Sequence, residues 1–214
     1  MELFLDTAKV EEIRRAKEWG ILDGVTTNPT HIAAAGRRYR EVLDEICALV
    51  DGPVSIEVLA TEADAMVEEA KEIASIGPNV VVKIPTIEEG IKATTRLTQM
   101  GIRTNLTLVF NAAQALLAAK AGATYVSPFV GRLDAIGHDG MEIVRQIKTI
   151  YGNYGYKTKI IVAAVRHPMH VLEGALIGAD VVTARLDVVE QLFHHPMTDI
   201  GLEQFLADGA QVPR

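Results

Sequence analysis

Lys83 follows the run Val80-Val81-Val82 and precedes Ile84-Pro85, so an ammonium group is set into an apolar, β-branched segment. Burying such a charge is costly unless the group is paired or sheds its proton. An ordinary lysine has a pKa near ~10.4 and is almost wholly charged at neutral pH. An amine brought below that value by desolvation or a neighbouring cation becomes a nucleophile toward carbonyls. Two readings fit the position: a core ion pair with Glu57 or Asp6, or a Schiff-base lysine. Other polar residues interrupt apolar runs in the same manner. Asp6 ends Leu3-Phe4-Leu5, and Thr26-Thr27-Asn28-Pro29 follows Gly24-Val25. Glu57 follows Ser55-Ile56, and Asn105 and Thr107 flank Leu106. Ser127-Pro128-Phe129-Val130-Gly131-Arg132 follows Tyr125-Val126, and Arg166 follows Ala163-Ala164-Val165. Asp6 with Thr7 serves equally well as the cap of a helix over 9–19. Asn28-Pro29 serves equally well as a plain turn.

Such residues need a frame that gathers them. Short apolar runs alternate with longer amphipathic ones to the end of the chain. The pattern predicts strands at 3–6, 24–27, 54–58, 80–84, 103–108, 124–128, 160–164 and 181–184. Continuous runs such as Val80-Val81-Val82 and Ile160-Ile161-Val162 suit parallel strands covered by helices. Eight βα units in one domain predict a (β/α)8 TIM barrel, shorter than the ~250-residue norm. An open doubly wound sheet is the alternative, weakened because no G-x-G-x-x-G follows the first strand. In a barrel the site lies at the C-terminal ends of the strands, which is where the polar residues stand. Thr61-Glu62-Ala63-Asp64 reads as a capping box ahead of Met66, Val67, Ala70, Ile73 and Ala74 at helical spacing. Gly77-Pro78 stops that helix. Ile91, Thr94, Leu97 and Met100 mark another, ended by Gly101. The tail from Asp208 is expected to fray.

Composition bounds the partners. The 214 residues are 49% hydrophobic and 23% charged, enough for one globular domain with a sizeable core. A formal net charge of −7 argues against nucleic acid or an anionic membrane surface as partner. A small basic site for an anionic metabolite is compatible with it. No apolar run reaches the ~18 residues of a membrane span. The start, Met1-Glu2-Leu3-Phe4-Leu5-Asp6, has no basic leader before an apolar stretch, so a cytoplasmic location is expected. Cys47 is the single cysteine, in an apolar helical run, and reads as a small hydrophobe.

Six segments, each at or beside an expected strand end, together resemble the transaldolases. They are Phe4-Leu5-Asp6-Thr7-Ala8, Asp23-Gly24-Val25-Thr26-Thr27-Asn28-Pro29, Val82-Lys83-Ile84-Pro85, Thr104-Asn105-Leu106-Thr107-Leu108-Val109-Phe110, the run from Gln114 to Ala123, and Ser127-Pro128-Phe129-Val130-Gly131-Arg132. The likeness extends over about 3–206 and is greatest to the short single-barrel subgroup, which includes fructose-6-phosphate aldolases. The resemblance implies sugar-phosphate substrates of the pentose phosphate pathway. It implies that Lys83 forms the imine and that Asp6 accepts and returns a proton. It implies that Glu57 and Thr107 hold a relay water, and that Thr27, Asn28 and Asn105 bind sugar hydroxyls. By the same resemblance Ser127, Arg132 and Arg166 line the phosphate end. No cofactor and no metal are expected, and no H-x-H or H-E-x-x-H spacing is present. The aldolase branch resembles this chain except for a tyrosine at Phe129 and a glutamine at Glu57, so transfer is favoured over release of free dihydroxyacetone.

Two segments depart from the family pattern: Ala164 stands where a phosphate-touching serine is common, and Val182-Thr183-Ala184-Arg185-Leu186 lacks the proline frequent near Arg185. Arg185 is expected on the surface. His138, His167 and His170 are read as solvated, and His194-His195 as ending a helix, where positive imidazole suits the dipole. A short amphipathic helix over 198–206, with Leu202, Phe205 and Leu206 on one side, follows. By resemblance it is exchanged between protomers of a homo-oligomer, often a decamer. The rival function classes are a non-catalytic barrel that binds a ligand, and a deoxyribose-phosphate type of Schiff-base aldolase.

Overall fold

The computed structural model describes residues 1–30 and 37–212. Eight strands close a parallel barrel in sequence order: β1 (Glu2–Asp6), β2 (Gly24–Thr26), β3 (Val54–Glu57), β4 (Val80–Pro85), β5 (Thr104–Val109), β6 (Tyr125–Pro128), β7 (Lys159–Val162) and β8 (Val181–Ala184). The helices among the described residues are α1 (Val10–Glu18), α2 (Tyr39–Leu49), α3 (Ala63–Ala74), α4 (Glu88–Gln99), α5 (Ala112–Lys120), α6 (Val130–Asp134), α7 (Gly140–Tyr154), α8 (Pro168–Ile177), α9 (Leu186–Gln191) and α10 (Pro196–Gly209). This is the (β/α)8 barrel expected, and the open sheet is excluded by the pairing of β1 with β8. None of these helices is long and apolar enough to cross a membrane.

Helix periodicity explains the outer layer. On α3, Ala63, Met66, Val67, Ala70 and Ile73 form one buried stripe. Each buried valine, isoleucine or methionine contributes roughly 1.5–3 kcal/mol relative to exposure. Cys47 packs against this layer, and burial pushes its thiol up to about 11, as suits a hydrophobe.

Several local expectations need correction. No side chain caps α3: the Leu59 and Ala60 amides donate to the Glu69 carboxylate, and the Ala63 amide donates to Glu89. A reciprocal capping box occurs instead on α5, between Asn111 and Gln114. Nor does Asp6 cap α1. Its N-cap is Lys9, and the nearby Thr7 hydroxyl accepts from the Lys9 amide while donating to Glu12. β7 stops at Val162, two residues early. Ala163 makes only an isolated bridge to Phe129, and Ala164 turns into the left-handed region at φ 55°. His195 begins α10 rather than ending a helix, with Nδ1 accepting from the Met197 amide. A helix start favours a neutral acceptor over a cation. That helix is longer than the 198–206 expected, and it takes in Asp208 and Gly209 of the tail read as frayed. Pro213 and Arg214 lie outside the described residues.

Candidate active site

Strand alternation builds the site. Residues two apart on a strand share a face. Phe4, Val81, Tyr125, Ile161 and Val181 form a buried cluster separate from the main core and fill the barrel interior. Gly24, paired with Phe4, leaves room for it: a Cβ there would lie 2.7 Å from the Phe4 ring. Two residues on from that cluster come Asp6, Lys83, Ser127, Ala163 and Thr183, one layer nearer the C-terminal mouth. Register places Thr26 beside Asp6, and Glu57 and Asn105 on either side of Lys83. This layer opens into a cavity of about 370 Å3. Its walls include Asp6, Thr26, Asn28, Glu57, Lys83, Ser127, Phe129, Arg132, Arg166, Thr183 and Arg185.

Lys83 is buried at 5% exposure. Its Nζ lies 3.1 Å from Glu57 Oε2 and donates to the Thr27 carbonyl at 3.3 Å. The ion pair weighed from the sequence therefore exists, and it exists at a cavity wall. The Phe129 ring lies with its centroid 5.9 Å from Lys83 Nζ and 5.0 Å from the Arg132 guanidinium. Phe129 is held edge-on by Phe110. An aromatic face between two cations attracts both without offering either a proton.

Asp6 is fixed by hydroxyls. Thr26 Oγ1 donates to Asp6 Oδ1 at 2.9 Å and lies 2.7 Å from Thr183 Oγ1. A hydroxyl carries a single proton. Thr26 commits its own to the carboxylate, so Thr183 is the donor to Thr26. The chain thus runs from Thr183 through Thr26 to Asp6. Neither threonine was singled out from the sequence, where Thr27 was chosen instead. The register with Asp6, and the spacing of two from Val181, are the signals that find them.

Thr27, Asn105 and Thr107 lie outside the cavity lining. The Thr27 hydroxyl donates to the Ser55 carbonyl at 2.8 Å. The Asn105 amide donates to Ser55 Oγ at 3.2 Å, and its Oδ1 accepts from Ser127 Oγ at 2.7 Å. Thr107 is fully buried, and its hydroxyl has no hydrogen-bond partner among the described residues. Asn28, Ser127, Phe129, Arg132 and Arg166 all reach the wall.

Arg185 is exposed, as expected, and it also lines the cavity mouth. Asp187 grips it through two bonds of 3.0 and 2.6 Å and raises its pKa. Leu108 and Ala164 are the non-glycine residues with positive φ among those described, at 59° and 55°, and both line the cavity. Such backbone costs ~1–3 kcal/mol each and clusters at functional sites. The histidine reading fails at one position: His170 is 3% exposed rather than solvated. Its Nε2 lies 2.8 Å from Asp134 Oδ2.

The family model described as Transaldolase/Fructose-6-phosphate aldolase matches residues 3–211. The chain belongs to this family. It is 59% identical over 214 residues to a "Probable transaldolase" of Dictyoglomus turgidum, with each chain fully covered. It is 62% identical over 213 residues to a "Probable transaldolase" of Aquifex aeolicus, covering 100% of this chain and 98% of that one. The chain is therefore an enzyme of the transaldolase family. Among solved structures it resembles an inosine 5' monophosphate dehydrogenase from Legionella pneumophila, with a TM-score of 0.59 at 13% identity. That match covers 88% of this chain and 58% of the dehydrogenase, and it speaks to the barrel alone.

Proposed function

We propose that this transaldolase-family enzyme moves a three-carbon dihydroxyacetone unit from a ketose phosphate to an aldose phosphate through an imine on Lys83. The donor is fructose 6-phosphate or sedoheptulose 7-phosphate, as in the pentose phosphate pathway. One observation carries the reading: a buried lysine and a hydroxyl-anchored aspartate open from one layer of the barrel into one cavity with three arginines. Lys83 Nζ adds to the ketone carbon, and loss of water gives the iminium. Asp6 takes the proton of the hydroxyl beyond the scissile bond. That bond breaks, its electrons pass to the iminium nitrogen, and an aldehyde leaves. The enamine attacks the acceptor aldehyde, Asp6 returns the proton, and water releases the new ketose from Lys83. Glu57, already paired with Lys83, and the unpartnered Thr107 hydroxyl are suited to hold the water that the imine steps consume and release.

Arg132 and Arg166 are assigned the phosphate. Neither is ion-paired to a carboxylate among the described residues, and a guanidinium can bind two oxyanion oxygens at once. Asn28 is assigned sugar hydroxyls, and Ser127 the phosphate end. Phe129 favours transfer over release, since it cannot help a water protonate the enamine. Incubation with fructose 6-phosphate and an aldose-phosphate acceptor tests this. Ketose exchange is expected, and free dihydroxyacetone as the main product would instead support the aldolase reading.

We also infer a homo-oligomer joined through α10. That helix buries no residue, while Met197, Ile200, Leu202, Phe205 and Leu206 are each more than half exposed. Apolar exposure on that scale marks a contact surface.

A further inference from the structure

A buried histidine ties together two of the elements that carry arginines of the cavity. Arg166 follows β7, and Arg132 lies on α6. The backbone amide of Arg166 donates to His170 Nδ1 at 3.3 Å. On the other edge of the ring, Nε2 lies 2.8 Å from Asp134 Oδ2, at the end of α6. Asp134 is anchored in turn, because its Oδ1 accepts from the Gly140 amide at 2.8 Å. The two elements already touch: the Val130 amide donates to the Ala163 carbonyl at 3.1 Å. At Gly131 a Cβ would lie 2.2 Å from the Ala164 carbonyl oxygen and 2.6 Å from Arg166 Cγ.

The ring's protons settle what this cluster does. Asp134, His167 and His170 offer ligand atoms within 4.8 Å of one another, a spacing open to a metal ion. Yet Nδ1 of His170 accepts a backbone proton, so the neutral ring carries its own proton on Nε2 and donates it to Asp134. Nε2 therefore has no lone pair for a metal, and the His167 ring lies against that of His170, tilted by 38° with 3.8 Å between centroids. A further charged neighbour is Glu173, which pairs with Arg145 on α7.

We propose that His170 is a positioning residue that locks Arg132 and Arg166 into one arrangement, and so sets affinity for the phosphate of the substrate. The inference rests on the phosphate role assigned above to those two arginines. A guanidinium on a long side chain recognises an oxyanion only as well as its backbone is held. Displacement by ~1 Å in such sites is worth orders of magnitude in rate.

The test uses the full-length enzyme and inorganic phosphate as a competitive inhibitor against fructose 6-phosphate. His170→Asn puts an acceptor where Nδ1 stands and keeps the Arg166 link. His170→Gln puts an amide near Nε2 and keeps the Asp134 link. His170→Ala loses both. Thermal unfolding reports which variants fold. A second readout, independent of phosphate, is borohydride trapping of dihydroxyacetone on Lys83. Expected for His170→Ala is a roughly tenfold loss of phosphate inhibition and a similar rise in KM, the scale of lost hydrogen bonds. Its kcat should stay within about twofold, and dihydroxyacetone trapping should be unchanged. His170→Asn should recover most of the affinity and His170→Gln less. A folded His170→Ala with unaltered phosphate inhibition overturns the proposal. So does a loss shared equally by dihydroxyacetone trapping. If His170→Ala does not fold, equal phosphate affinity in the Asn and Gln variants overturns it. Wild-type enzyme on which phosphate does not compete would instead remove the phosphate reading, and this inference with it.

Discussion

Replacing Thr26 by valine removes one hydroxyl and keeps the shape of the side chain. Two bonds go with it: the 2.9 Å donation to Asp6 and the 2.7 Å acceptance from Thr183. Thr183 is 2% exposed, and its hydroxyl loses the acceptor it has in Thr26. A buried orphan of this kind costs about 1–3 kcal/mol, and the added methyl offsets part of that. A net destabilisation near ~1 kcal/mol is expected by urea unfolding. The effect on catalysis is larger and more selective. A hydrogen bond to a carboxylate is worth roughly 1.5–3 kcal/mol. If the orientation of Asp6 is used in the bond-breaking step, kcat should fall about ten- to a hundredfold. Imine formation does not use Asp6 as base, so borohydride trapping of dihydroxyacetone on Lys83 should proceed at the wild-type rate. Thr183→Val acts through Thr26 and should cost less, and the double variant should cost little more than Thr26→Val alone. Unchanged kcat in Thr26→Val, or slowed trapping to the same degree, would refute the assignment of Asp6 and of the hydroxyl chain behind it.

Other consequences follow from the same geometry. Gly131→Ala drives a methyl to 2.2 Å from the Ala164 carbonyl oxygen, so the segment carrying Arg166 must move. Overpacking of this kind costs ~1–3 kcal/mol, and KM for fructose 6-phosphate should rise at least about tenfold with kcat less affected; equal KM values would contradict it. Burial first, then the neighbouring His167, holds the His170 imidazole below its ordinary value. The folded state therefore takes up fewer protons than the unfolded one, and the stability His170 provides is full above ~6.5 and lost as pH falls toward its lowered value. The urea midpoint gap between wild type and His170→Asn should be narrower near about pH 5.5 than near about pH 8, and a wider gap at the lower pH would reverse the sign. Leu202→Glu with Phe205→Glu charges the exposed face of α10 and should yield monomers by light scattering. A wild-type enzyme already monomeric would dispose of the oligomer reading.

The barrel was legible because parallel strands covered on both faces must be apolar at consecutive positions, as in Val80-Val81-Val82. The polar strand ends then marked the mouth, and Asp6, Glu57, Lys83 and Arg166 all line one cavity. Misplaced residues share a physical cause: their position depends on parity or on partners distant in sequence. Thr26 and Thr27 look alike in one dimension, and only the register with Asp6 decides which faces inward. His170 looks solvated at a helix start until Asp134 and the Arg166 amide close on it. No local motif caps α3, because the amides around its start are met by Glu69 and Glu89, further along the chain than such a motif reaches. Arg185 is on the surface as read, but that it also lines the cavity mouth depends on the closure of β8 onto β1, which nothing nearby in sequence signals.

The central claim is that the Lys83 amine carries the substrate covalently. Fructose 6-phosphate should be added to the enzyme, the adduct reduced with sodium borohydride, and the peptides mapped by mass. The account predicts a single stable adduct on the peptide bearing Lys83, absent from Lys83→Met. No adduct under turnover conditions, or one on another lysine, would contradict it.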